Sequence, residues 1–395
     1  MKELGDPVRA GSLMALAVSA LSLGLAMVLH HFAEEPLRGI DRGNLRVAVD
    51  AVERRRIEMS MTSRFAAVAA LILVTFGSAA CVMNPRANDR PASEDTQVSA
   101  GPNAVPAPEG RTGPLTAALQ QRISAAVRAT RWPQLNPTLE QAANGPLADP
   151  EVLCTPTTLD PQSCTWGSPD AVKKIVLVGD SVAVGYSGPI REIVLNSAGA
   201  VQFRSLAVGP CVFANDPIVR PAQANAKCTP RNQSAVDFIN ATKPDVVVVS
   251  NGFRADWVVG HDRPMSFDEW GESLRQIVDK FRGSTGKVVF LSRPAGNLDV
   301  QDCVRRKAPT PADCMGGVDS EWAATAEVER HLADSLGGVW IDSRPWFCTG
   351  AGGGELCPSF VGSTPTRRDT VLMTPEYGHE IYPVIKEALA AHGLL

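Results

Sequence analysis

The stretch KKIVLVGDSVAVG at residues 173–185 constrains this chain more than any other. Ile175, Val176, Leu177 and Val178 form a short, largely β-branched run, and Gly179, Asp180 and Ser181 follow with no spacer. A continuous apolar run of this length, closed by a turn signal, has the character of a strand buried on both faces. In an open α/β sheet, ligands bind beyond the carboxyl ends of the strands. Ser181 is therefore the first residue to suspect of chemistry.

Downstream of residue 173 the apolar pattern alternates between the two periods. It predicts strands over 174–178, 201–206, 245–249, 287–291 and 338–341, and helices over 188–195, 233–241, 267–281, 321–336 and 377–391. Ser266 and Glu269 make a capping box at the start of one helix, and Pro375 suits the first position of the last. Five strands alternating with five helices imply a parallel sheet covered on both faces, an α/β flavodoxin-like three-layer sandwich. Internal repeats are absent from the sequence.

The part of the chain before this domain reads differently. Residues 11–29 carry no charge and run into His30 and His31; residues 65–83 carry none either. Both have the length that crosses a bilayer, which predicts two transmembrane helices at about 11–32 and 65–83 within a membrane segment 1–83. The loop between them holds Arg38, Arg42, Arg46, Arg54, Arg55, Arg56 and Arg64. Positive-inside bias puts that loop in the cytoplasm and everything after Met83 outside, so the chain is expected at the cell membrane with its folded part extracytoplasmic. A start at Met59 or Met61 would instead make the second stretch a secretion signal ending at a lipid-modified Cys81. Either way the remainder is exported.

Residues 84–113 are rich in Pro, Ala, Gly, Asp and Ser and read as a flexible linker. Residues 114–170 read as a helical extension, with Leu115, Leu119, Ile123 and Val127 at helical spacing, and 171–395 as the main domain. Over the whole 395 residues, 44% are hydrophobic and 20% charged, with a net charge of -4. That is a globular balance with room for more than one unit, and the missing basic excess argues against a nucleic-acid partner. Apart from Cys81, eight cysteines fall into local couples: Cys154 with Cys164, Cys211 with Cys228, Cys303 with Cys314, and Cys348 with Cys357. An even number at short spacing in an exported segment reads as disulfides, local pairing being the simplest of many connectivities. No CxxC or HxxxH spacing suggests a zinc site, and neither a metal nor a cofactor is expected.

The Gly179-Asp180-Ser181 triplet after its strand resembles the first motif block of SGNH (GDS-type) hydrolases, whose nucleophile is that serine. The resemblance implies oxyanion donors from the serine N–H, a glycine in the second block and an asparagine in the third. Gly209, in LAVGPC, and Asn251, in VSNG, match those positions, although Asn251 lacks the full GxND setting. As ordinary turn residues, both would also sit well at strand ends, and Ser181 itself could be a plain helix cap. The family's last block is DxxH before the final helix, the histidine acting as general base and the aspartate orienting it. Here Asp369 matches the aspartate, but the histidine position holds Leu372. Of His261, His331, His379 and His392, His379 is the nearest substitute, in a Glu-x-x-His spacing with Glu376, yet Pro375 starts the helix early enough to set it a turn or more away.

The run HHFAEEPLR at residues 30–38 resembles the end of an acyltransferase-3 membrane domain, and Trp346-Phe347-Cys348 followed by Cys357-Pro358 resembles the SGNH domains fused to it. Such fusions pass acyl groups across the membrane to envelope sugars or peptidoglycan. The chain holds only the last part of that membrane domain. The resemblance thus implies a membrane-anchored SGNH domain of an O-acyltransferase acting on cell-envelope carbohydrate through a serine acyl-enzyme, with Ser181, Asp369 and His379 as the catalytic candidates. The alternative is an inactive SGNH module that binds polysaccharide or peptidoglycan, or that partners a separate, complete acyltransferase-3 membrane protein.

Overall fold

The computed structural model describes residues 113–153, 164–219, 228–253, 256–259, 261–350 and 354–395. Both predicted transmembrane stretches, the linker up to residue 112, Cys81 and Cys154 lie outside these residues. Among the described residues no helix is long and apolar enough to cross a membrane.

Six strands form the main sheet: β1 (Thr165–Trp166), β2 (Lys173–Gly179), β3 (Val201–Ser205), β4 (Val246–Ser250), β5 (Lys287–Leu291) and β6 (Val339–Ile341). Their spatial order is β1-β3-β2-β4-β5-β6. Every neighbouring pair is parallel except β1 with β3, where Thr165 faces Arg204 and Trp166 faces Phe203 in antiparallel register. The sheet is therefore mostly parallel rather than wholly so. The antiparallel edge strand comes from the segment 114–170 read as a helical extension, so that segment also contributes to the sheet.

Alternation along the strands builds the two cores, because successive side chains point to opposite faces. On one face Ile175, Leu177, Val246 and Val248 are buried with Leu119, Ile123, Ile190, Ile193, Ile381 and Ile385. These come from helices α1 (Pro114–Val127), α2 (Ser181–Leu195) and α6 (Pro375–Ala391). On the other, Val176, Val178, Val247 and Val249 are buried with Ile239, Trp270, Leu274 and Ile277 from α3 (Cys228–Thr242) and α4 (Phe267–Asp279). Helix α5 (Ser320–Ser335) serves both, with Trp322 and Ala326 in the first core and Leu332 and Ala333 in the second.

Helix α2 begins seven residues earlier than the sequence pattern suggests. Gly185, Ser187, Gly188 and Pro189 read as breakers, yet Ser187, Gly188 and Pro189 are buried within the helix. The small side chains let α6 come close: a Cβ on Gly378 would lie 3.1 Å from Cγ of Pro189. Helix α3 likewise starts at Cys228, five residues before the predicted 233, while the remaining predicted termini lie within two residues of the observed ones. Ser266 and Glu269 close their capping box, and Thr374 caps α6 immediately before Pro375.

Three of the four cysteine couples are disulfides, Cys211–Cys228, Cys303–Cys314 and Cys348–Cys357. Cys164 is also disulfide-bonded. Helix α1 is fastened to the sandwich at its start and its middle: Glu387 of α6 accepts from the backbone N–H groups of Leu115 (2.9 Å) and Thr116 (2.8 Å), and Gln120 donates to the carbonyls of Pro345 and Cys348.

The end of β2 shows how tightly neighbouring strands meet. Gly179 has φ 143° and a Cβ there would fall 1.8 Å from the carbonyl oxygen of Ser250. Both the backbone conformation and the contact exclude a side chain. Gly179→Ala is expected to lower the free energy of unfolding by about 3 kcal/mol or more, read as the shift in a urea-unfolding midpoint. An unchanged midpoint would show that the strands separate at no cost.

Candidate active site

Beyond Gly179 the chain turns into α2 with Asp180 as its cap. The Asp180 side chain is fully buried and accepts from the N–H of Val182 (2.9 Å) and, with both oxygens, from the N–H of Gly252 (3.1 and 3.0 Å). A buried carboxylate is tolerated only when its oxygens are satisfied in this way. Asp180 thereby fixes the end of β2, the first turn of α2 and the residue after Asn251 in one unit. Ser181, half-buried, is the first residue of α2. The free N–H groups and the dipole of a helix start favour negative charge at that point.

The second block joins from the other side. Leu206 donates to the carbonyl of Leu177 (2.8 Å) and Val208 to that of Gly179 (3.0 Å), which carries the β3 exit alongside β2. Gly209 follows directly, and the turn is closed by Cys211 N–H donating to Val208 (2.8 Å) and by the Cys211–Cys228 disulfide. Buried Asn251 clasps this loop: its Oδ1 accepts from Phe213 N–H (2.9 Å) and its Nδ2 donates to the Phe213 carbonyl (3.2 Å). An amide carries two N–H groups, and the Phe213 carbonyl takes one of them. Ser181, Gly209 and Asn251 therefore stand beyond the carboxyl ends of three neighbouring strands, β2, β3 and β4, where an α/β sheet holds its ligands.

The last block forms a closed turn. Arg367 pairs with Met373 across an antiparallel bridge, and Arg368 N–H donates to the Leu372 carbonyl (2.9 Å). Asp369 Oδ1 accepts from the N–H groups of Val371 and Leu372, both at 2.9 Å. Leu372 itself is buried in the first core. A leucine side chain cannot take a proton from Ser181.

His379 does not substitute for it. The imidazole Nε2 lies 2.9 Å from Asp149 Oδ2, and Nδ1 lies 3.8 Å from Glu192 Oε1. Glu192 sits three turns further along α2 than Ser181, about 16 Å down the helix axis. The structure thus separates His379 from the nucleophile position and places it at the flank of the domain. His331 pairs with Glu327 on α5, His261 is exposed beyond residue 258, and His392 caps the end of α6. Among the described residues no histidine hydrogen-bonds Ser181, and no group of three His, Cys, Asp or Glu side chains could hold a metal ion.

Arg293, Arg367 and Glu329 are among the buried ionisable residues that escaped the sequence reading. Arg293 follows β5 directly, at the same rim as Asn251, and lies 3.8 Å from Asp319 and 3.9 Å from Glu321. Its position after a parallel strand was the available signal. Arg367 is fully buried, 5.3 Å over the Phe347 ring, with two long 3.4 Å bonds from Nη1 to the carbonyls of Gly296 and Thr370. Burial, with the like charge of Arg293, pulls its pKa down to about 10. Glu329, inside α5, is buried too, and burial pushes its carboxyl up to about 8, against the opposing indole of Trp270 and charge of Arg293 and with the help of Asp180. The buried Trp270 Nε1–H has no hydrogen-bond partner among the described residues.

A serine at a strand-to-helix turn, with a glycine and an asparagine in the loops that follow the two adjacent strands, sits at the ligand-binding rim of a mostly parallel α/β sandwich. The family described as "SGNH domain (fused to AT3 domains)" matches residues 153–370, more than half of the chain, and the chain belongs to that family. No curated protein matches the chain. Among solved structures, it is similar to the periplasmic domain of the lipopolysaccharide acetyltransferase of Salmonella ser. Paratyphi A, with 14% identity over 70% of this chain and 99% of that one and a TM-score of 0.47. An acetylxylan esterase of Geobacillus stearothermophilus matches at 12% identity over 58% of this chain and 96% of that one, TM-score 0.35. A family 2 carbohydrate esterase of Corynascus thermopiles matches at 16% over 58% and 69%, TM-score 0.33.

Glu329 gives the site end a pH signature. The folded protein holds this proton more tightly than the unfolded chain does, so its contribution to stability is complete below about pH 4.5 and is lost as pH rises toward about 8. Glu329→Gln is expected to flatten the fall in Tm between about pH 5 and 8 relative to the parent chain. Parallel pH profiles for the two proteins would refute the burial argument.

Proposed function

We propose that this chain is a membrane-tethered, extracytoplasmic SGNH module of the machinery that O-acylates cell-envelope carbohydrate or peptidoglycan, and that it seats an acyl ester at Ser181. The observation that carries this reading is the Asp180 clasp, which sets Ser181 at the start of α2 between the loops of Gly209 and Asn251. Membership in a family of SGNH domains fused to acyltransferase-3 domains supports the acyl chemistry. The two uncharged stretches near the N-terminus and the arginine-rich loop between them support the tether, and the disulfides support an oxidising compartment.

In the reaction, Ser181 Oγ adds to the ester carbonyl, its proton passes to water, and the sugar alkoxide leaves with a proton taken from water, giving an acyl-serine that an acceptor hydroxyl or water then takes apart. The Ser181 and Gly209 N–H groups and the second N–H of Asn251 would hold the oxyanion. With leucine at position 372 the proton has no imidazole to go to. The loss of one triad member still leaves about 10³ to 10⁴-fold acceleration over water from the oxyanion hole and binding.

The burial of Leu372 and the engagement of His379 elsewhere favour a second reading, in which the module binds acylated glycan without turnover and works beside a separate acyltransferase-3 membrane protein. One series separates the two. The full-length chain, its Ser181→Ala variant and its Leu372→His variant are treated with a serine-directed fluorophosphonate and the adduct is followed by mass spectrometry. The proposal expects slow labelling of the parent chain, none in Ser181→Ala, and at least about 100-fold faster labelling in Leu372→His, since a positioned base contributes about 10² to 10⁴. A parent chain that resists the probe, with a Leu372→His variant that reacts, selects the binding reading. A folded Leu372→His protein that gains nothing overturns the Ser181 site.

A further inference from the structure

One element of the site end comes from outside the sandwich. After the short helix Leu139–Ala143, residues 145–153 cross the face that α2 and α6 cover before the chain reaches β1. This loop is held at many points. Ala143 packs with Leu298 and Val300, while Ala148 and Val152 are buried in the first core. Asp149 makes its 2.9 Å pair with His379, with Oδ2 also 3.1 Å from where a Cβ on Gly188 would stand. Glu151 pairs with Arg191 at 2.9 Å.

Between these anchors lies Leu147, half-buried and packed against the first core. A Cβ on Gly209 would lie 3.5 Å from its Cδ2, which is ordinary van der Waals contact. Leu147 is thus the apolar side chain next to the glycine whose N–H is assigned to the oxyanion. An acyl group with its carbonyl oxygen at Gly209 would have this apolar side chain as a neighbour.

We infer that Leu147 is the wall that limits the length of the acyl group accepted at Ser181, and that the Asp149–His379 pair positions it. This inference rests on the Ser181 reading above. It assigns the 139–153 segment a part in specificity, and it gives His379 a positioning role in place of the catalytic one its spacing suggests. A wall at this place favours short acyl groups over long chains, which would meet Leu147.

The test compares labelling of the full-length Leu372→His protein by ethyl and octyl fluorophosphonates, with Leu147→Ala, Leu147→Phe, Asp149→Asn and His379→Gln added singly. One methylene in an apolar pocket is worth about 10 to 200-fold, so Leu147→Ala is expected to raise the octyl-to-ethyl rate ratio by at least about tenfold. Leu147→Phe, which keeps the apolar packing should the alanine variant fail to fold, is expected to slow even the ethyl probe. Asp149→Asn and His379→Gln should raise the same ratio by a smaller factor, a change in selectivity that loss of stability alone does not produce. A ratio unchanged in folded, labelled variants overturns the role of Leu147 while leaving Ser181 in place. Failure of every variant, Leu372→His included, to react at Ser181 removes the serine reading and this inference with it.

Discussion

The architecture at the site end depends on one buried anion. Asp180 has no access to water, and its carboxylate is satisfied by backbone N–H groups from two different strand exits, Val182 and Gly252. Charge-assisted bonds of this kind are about twice as strong as neutral ones, and a carboxylate at a helix start gains further from the helix dipole. Were either partner displaced, the charge would be left unpaid for in a medium where that is very costly. Ser181 thus inherits its position from its neighbour: the serine is held by where Asp180 must be.

The same economy explains how the last block keeps its shape without a histidine. The Asp369 carboxylate closes its own turn by accepting the N–H groups of Val371 and Leu372, and these are backbone bonds indifferent to the side chain at 372. A leucine can therefore occupy that place, join the apolar core and leave the fold intact. Chemistry and architecture are separable at this position, whereas at Asp180 they are one.

Much of the fold was legible because a short continuous apolar run such as Ile175 to Val178, closed by a turn signal, suits a strand buried on both faces, and its alternate residues do enter different cores. Local signals also spoke clearly: the Ser266–Glu269 box, the proline opening α6 and the short cysteine spacings needed no knowledge of distant partners. The start of α2 was hidden because Gly185, Gly188 and Pro189 act as breakers in isolation, and only the close approach of α6 rewards small residues there. The glycine and asparagine of the candidate site could be found because they end strands. Glu329 could not, since a glutamate inside a charged helix looks solvated until the packing of Trp270 and the sheet is known. His379 misled through its spacing to Glu376; its partners, Asp149 and Glu192, stand 230 and 187 residues earlier in sequence.

Helix α5 has a mechanical consequence. Its first half is anchored in one apolar layer through Trp322 and Ala326, and its second half in the other through Leu332 and Ala333. Neither layer can loosen without prying a continuous helix off its opposite half. The helix acts as a rivet through the edge of the sandwich, joining two otherwise distinct cores into a single cooperative unit.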